Sequence, residues 1–205
     1  ISIPGDHIDV FRHLEIIQTI KIIHQVGRYR QFTSGIPYCL DLPAEELQLD
    51  MTKRSLGVED FAQAAIYQTK CEMEPLAGLL PMDCVSVESA NELARTIREM
   101  PDGDLLKYLA VLSVEPPADF PGALRLALEL DDYERITEGS YEYGQSVLRR
   151  IGADEELISV IDGYMDFEQF GEDSMKEDGV RQTEFGLVRR LSSPFDGQTP
   201  LQQVF

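Results

Sequence analysis

Positive charge is what this sequence most lacks. Its 205 residues include 18 Lys+Arg against 37 Asp+Glu, a formal net charge of −19. An imbalance of that size adds self-repulsion to the compact state, so it bears on solubility and partners rather than on folding. The only basic doublets, Arg149-Arg150 and Arg189-Arg190, sit among acids. Binding to nucleic acid through counterion release needs clustered positive charge. Neither nucleic acid nor an anionic membrane is therefore an expected partner, whereas basic protein surfaces are. The plainer reading is that the acidity serves solubility or a salt-rich habitat.

Other scarcities narrow the function further. Cys39, Cys71 and Cys84 are odd in number and match no zinc or disulfide spacing, which suits a reducing compartment. No apolar run reaches the roughly 18 residues of a membrane span, and no signal-peptide pattern is visible. A cytoplasmic location is the expectation. His7, His13 and His24 have no nearby cysteine or matched carboxylate pattern that would make a metal site. There is no Gly-x-Ser-x-Gly elbow and no phosphate-cradling glycine loop. Asp131-Asp132 and Glu45-Glu46 lack the alternating oxygen ligands of a calcium loop. The sequence thus predicts a protein with no catalytic site, metal or cofactor.

Hydrophobic content is 43%, ordinary for a folded chain. The acidity is uneven. Residues 1–57 hold seven acids and six bases, a net of −1; residues 58–135 hold sixteen and six, a net of −10; residues 136–205 hold fourteen and six, a net of −8.

Residues 7–26 carry Val10, Leu14, Ile17 and Ile20 near helical spacing and predict a helix, although the isoleucine content also suits a strand. Tyr38–Leu42 and Ala64–Cys71 read as strands flanking a helix over 44–55 that Gly57 closes. From Ser86 the pattern turns helical. One helix spans 88–100, capped by Ser86 or Ser89, and a second starts at Asp102 and carries Leu105, Leu106, Leu109 and Leu112. A third has Pro121 in its first turn and Leu124, Ala127 and Leu128 facing inward. Strands are then expected at 133–137, 180–183 and 186–190, with helices at 145–151 and from Asp154 onward, the latter punctuated by Gly163 and Gly171 and so readable as one helix or as two pieces. The fold class is α+β, an elongated chain of three small units. These are an α+β domain over 36–85, a helical domain over 86–132 and an α+β domain over 133–191. Residues 1–35 read as an N-terminal extension or helix, either an added element or a divergent first strand region, and 192–205 as a loosely attached tail.

The densest acidic run is 162–178. In one helix it would align Asp162, Asp166 and Asp173, with Glu168 and Glu172 as a second row and Ile161, Met165 and Phe170 turned inward. Carboxylates four apart rise about 6 Å, whereas one DNA strand presents a phosphate about every 3.4 Å of axis. Imitating DNA would therefore recruit further acids from 88–134, here Glu88, Glu92, Glu99, Asp102, Asp104, Glu129, Asp131 and Asp132.

The segment Tyr164-Met-Asp-Phe-Glu-Gln-Phe-Gly-Glu-Asp173 resembles the Tyr-x-Asp-Tyr-x-x-Tyr/Phe-Gly-Arg-Asp segment of the ArdA-type antirestriction proteins. Gly179-Val180 and Glu184-Phe185-Gly186 are similar to the strand and aromatic-glycine turn that follow it in that family. Ser86–Ala94 is similar to the Asn-Glu-Leu opening of its helical module. Glu172 departs from the family's Arg, and 1–35 has no counterpart. The resemblance covers roughly 36–190. It implies a homodimeric DNA mimic, carried on mobile genetic elements, that occupies the DNA-binding groove of a type I restriction–modification enzyme and inhibits it. Such a dimer would hold enough negative charge for roughly 65 Å of duplex at about 1.7 Å per charge. Two other readings stand beside it: an acidic mimic aimed at another defence system or a nucleoid protein, and an enzyme of unrecognised type.

Overall fold

A computed structural model describes residues 20–24, 38–64, 66–82 and 86–195. The fold is α+β, as expected, and its contacts divide it into two compact units. Of the described residues, the first comprises those from 20 to 100 together with 117–127; the second comprises 101–116 and 128–195. This division differs from the sequence boundaries at 86 and 133, because the three middle helices separate. The helix over 102–114 groups with the last part of the chain, and its neighbours on either side group with the first.

In the first unit a three-stranded antiparallel sheet has the order β2-β1-β3, with β1 Ile20–His24, β2 Tyr38–Leu42 and β3 Ile66–Cys71. Ile22 faces Leu40 on one side and Thr69 on the other. Here the helix expected over 7–26 is overturned for residues 20–24. Ile20, Ile22 and Ile23 are β-branched and take the central position, where two partners supply the backbone bonds. The remainder of 7–26 lies outside the described residues.

Helix α1 spans Glu46–Leu56 and stops at Gly57, which is left-handed at φ 68° and donates to the carbonyls of Lys53 and Arg54. A short helix the sequence reading did not anticipate, α2, spans Glu74–Ala77. Helix α3, Val87–Glu99, starts where Ser86 accepts a hydrogen bond from the Ser89 amide. Val87, Ala90, Leu93, Ala94 and Ile97 are buried at helical spacing, and α3 packs on β1 and β2. Asn91 is buried with them and brackets Ala44, accepting from its amide at 2.6 Å and donating to its carbonyl at 3.1 Å. Those contacts fix the rotation of α3 and so decide which face looks outward.

Helix α5, Phe120–Leu128, turns Phe120, Ala123, Leu126 and Ala127 inward. The expected inward set is corrected at two positions: Leu124 is half-buried and Leu128 is 68% exposed. Starting the helix one residue before Pro121 puts Phe120 on the core stripe, and the stripe through Phe120 and Ala123 excludes Leu128.

In the second unit, helix α4 (Asp102–Val114) lies on an antiparallel sheet ordered β4-β6-β5, with β4 Tyr133–Ile136, β5 Arg181–Thr183 and β6 Gly186–Arg190. Leu105, Tyr108, Leu109 and Leu112 of α4 are buried, as is Val188 of β6. Residues 192–195 are not a loose tail. Phe195 is buried and stacks on Tyr133 at 6.2 Å, while the Ser192 amide and hydroxyl both donate to Asp132. The rest of the tail lies outside the described residues.

Three further helices belong to the unit among the described residues: α6 Ser140–Arg150, α7 Glu155–Ile161 and α8 Phe167–Glu177. Helices α6 and α8 meet backbone to backbone at Gly144 and Gly171, both buried. A methyl group on Gly144 would lie 2.7 Å from the Phe167 carbonyl oxygen, and one on Gly171 would overlap the carbonyl of Ser140.

The Asp178 carboxylate follows α8 and receives Tyr143 Oη at 2.5 Å, Arg150 at 2.7 Å and Arg189 at 3.4 Å. Burial alone would raise this carboxyl, but the Tyr143 and Arg150 hydrogen bonds and both guanidinium charges outweigh it and hold it below its ordinary value. Burial and the same carboxylate push the Tyr143 phenol up to about 12, so it remains a donor. A depressed carboxyl contributes stability above its unfolded pKa of about 3.9 and loses it as pH falls through the folded value. Asp178→Asn is expected to cost about 1 kcal/mol at neutral pH, modest because the site is part-exposed. Urea unfolding at several pH values should show the gap to wild type closing below about pH 4.

Candidate functional site

Helix geometry determines what the expected carboxylates can do together. On α3, Glu88, Glu92 and Glu99 are spaced i, i+4 and i+11, within about 40° of one another around the axis and opposite the buried stripe. All three are exposed, and none has an ion pair among the described residues. They rise over about 16 Å, along which one DNA strand would present about five phosphates. Three acids against five phosphates is a thinned imitation. Arg95 also falls on this face, with its guanidinium 3.4 Å from the Ala44 carbonyl, so the row is not purely acidic.

The run 162–178 is not one helix, and the row Asp162–Asp166–Asp173 is corrected accordingly. Helix α7 ends at Ile161, and α8 begins at Phe167 because Asp166 caps it, its carboxylate accepting from the Gln169 amide at 3.0 Å. Asp162 ends α7 and accepts from the Tyr141 hydroxyl. The inward set changes too. Phe167, Gly171, Ser174 and Met175 are buried, while Ile161, Met165 and Phe170 are only half-buried. Glu168 and Glu172 do share a face of α8, both exposed and without an ion pair among the described residues.

Several expected acids have internal partners. Asp132 accepts from the Ser192 hydroxyl at 2.6 Å, from Arg190 at 2.9 Å and from the Ser192 amide, and these bonds, the hydroxyl's first, hold its carboxyl below the ordinary range. It is a structural anchor for the sheet rather than a free carboxylate. Asp173 is bonded by Lys176 and Gln169, and Asp104 has Lys107 at 3.7 Å. Asp102, Glu129 and Asp131 are exposed.

The arginines of the second unit are largely spent on this internal pairing. Arg149 holds Glu155, Arg150 holds Asp178, Arg189 bridges Glu134 and Asp178, and Arg190 bridges Asp132 and Glu115. Sequence reasoning missed these pairs, although one signal was available. An antiparallel β4–β6 pairing sets Glu134 opposite Arg189 and Tyr133 opposite Arg190, and opposite charges favour that register. Their consequence is chemical: cations are drawn to particular carboxylates, and Glu88, Glu92, Glu99, Glu168 and Glu172 are left uncompensated by them.

Exposed Glu156 and Glu177 add to the acidic surface and were not among the expected residues. Among the described residues no three His, Cys, Asp or Glu side chains gather as a metal site. No helix is long and apolar enough to cross a membrane, again among the described residues. No protein-family model matches the chain, and no curated protein matches it.

Proposed function

We propose that this chain is an antirestriction DNA mimic that enters the DNA-binding groove of a type I restriction–modification enzyme and excludes DNA from it. The observation that carries the reading is the outward face of α3, where Glu88, Glu92 and Glu99 stand exposed and unpaired. The resemblance of Tyr164–Asp173 to the ArdA-type segment supplies the class of target.

Magnitudes bear on how such binding would work. An exposed ion pair contributes about 0.2–1 kcal/mol, whereas nanomolar affinity corresponds to about 12 kcal/mol. The three α3 acids cannot supply that alone. Further acids must contribute, and neutralising any single acid changes affinity by less than about fivefold. Long-range attraction to a basic groove gives fast association that salt screens.

The test is DNA binding and cleavage by a purified type I enzyme with increasing amounts of this protein. Both activities should fall at low salt and recover as ionic strength rises, since the Debye length shrinks from about 10 Å at 0.1 M to about 3 Å at 1 M. Undiminished DNA binding at low salt, with the protein in large excess, overturns the reading.

A further inference from the structure

In the second unit, a strip of apolar side chains faces solvent beside the acids. Leu157 and Val160 of α7 are 50% and 60% exposed, and Tyr164, in the turn after it, is 91% exposed. Their spacing of i, i+3 and i+7 puts the first two on one face, and Tyr164 continues the line through its amide bond to the Ile161 carbonyl. Ile158, one position round the helix, is the residue α7 turns inward, so the strip is not needed to hold α7 down.

The charge around this strip has one sign. Residues 151–175 contain eight acids and no Lys or Arg, and Glu156, Asp162 and Asp166, close to the strip in sequence, are all exposed. The preceding bases, Arg149 and Arg150, are held by Glu155 and Asp178. A second copy of the chain docked on this face would bring like charges together, and an anionic lipid surface or nucleic acid would meet the same repulsion. A basic segment with its own apolar face meets none. A second exposed apolar pair, Leu47 and Met51 on α1, has both acids and bases beside it (Glu46, Asp50, Lys53 and Arg54) and so selects no sign of partner.

We propose that Leu157, Val160 and Tyr164 form a docking surface for a basic amphipathic segment of a partner protein. Lys or Arg flanking that segment would meet the acidic surroundings of α7, Glu156 on the helix first among them, while its apolar side chains cover the strip. The apolar part of the contact is insensitive to screening, so this site retains a partner at salt concentrations that dissolve a purely electrostatic contact. The proposal stands apart from DNA mimicry, because a phosphate track has no use for an exposed leucine and valine.

The test is fluorescence anisotropy with the full chain and two labelled synthetic helical peptides. One carries leucines along one face and lysines elsewhere; the other keeps the lysines and replaces the leucines with glutamine. At about 0.5 M salt the leucine/lysine peptide should still bind, and the glutamine/lysine peptide should not. Leu157→Ser/Val160→Ser/Tyr164→Ser should weaken the first peptide at least about tenfold, and leave weak low-salt binding of the second unchanged. Tyr164→Ser alone, at a side chain too exposed to matter for folding, should weaken the first by about threefold. Equal affinity of wild type and triple variant, with unchanged circular dichroism, overturns the proposal. It is also overturned if wild type sediments as a dimer that the triple substitution dissociates, because the strip then belongs to a second copy.

Discussion

Gly171→Ala is expected to lower the thermal midpoint by about 10 °C, one of the two largest effects foreseen for this protein. In an open helix the same change would raise stability by up to about 1 kcal/mol, since alanine is the better helix former. Here the added methyl would coincide with the Ser140 carbonyl of α6 and lie 3.0 Å from the Gly144 amide nitrogen. Both obstacles are backbone, so no rotamer change relieves them, and α6 and α8 must separate. Separation strains the packing of Phe167 and Met175 and the Tyr143–Asp178 hydrogen bond. Overpacking of this kind costs about 3 kcal/mol, which corresponds to about 10 °C for a domain of this size. Gly103→Ala is the control. Nothing lies within 4 Å of its added methyl, so its midpoint should stay level or rise slightly. Scanning calorimetry on both variants decides the matter, and a Gly171→Ala midpoint matching wild type would mean that the helices do not meet at that carbonyl.

The triple variant Glu88→Gln/Glu92→Gln/Glu99→Gln tests function without touching the fold. These side chains have no ion pairs to lose among the described residues, so the melting curve should be unchanged. Losing three exposed pairs, at about 0.5 kcal/mol each, should weaken inhibition of a type I enzyme about tenfold at 0.1 M salt. The deficit should shrink toward zero as salt rises. Asp132→Asn should behave in the opposite way. It removes acceptors for Arg190 and Ser192 and so lowers stability, while inhibition measured below the melting transition stays close to wild type. Full inhibition by the triple variant would remove α3 from the contact.

Local signals in the sequence were strong wherever a single residue type settles a boundary. Gly57 closes α1, Ser86 opens α3 and Asp154 caps α7, its carboxylate accepting from the Leu157 amide. The two-residue turn at Glu184-Phe185 and the strands around it were legible for the same reason. Less legible was anything decided by distant partners. Ile20–His24 reads as helix by spacing and becomes a strand because β2 and β3 flank it. Asp166 looked like one member of a helical row and is instead the residue that starts a helix. Of the carboxylates, exposure followed from helix amphipathicity. Which ones were already taken by arginine did not, because Asp132 and Arg190 are 58 positions apart and meet only through the β4–β6 register.

The division of the chain into two bodies has a consequence for its synthesis. The polypeptide leaves the first body at residue 101, returns at 117 and leaves again at 128. The first body therefore cannot close until α5 has emerged from the ribosome. By then α4 is already out, with Leu105, Tyr108, Leu109 and Leu112 waiting for β4, which follows about twenty residues after the helix ends, and for β5 and β6, about seventy after it. Neither unit can be obtained by cutting the gene once, because each takes in two separate stretches of the chain.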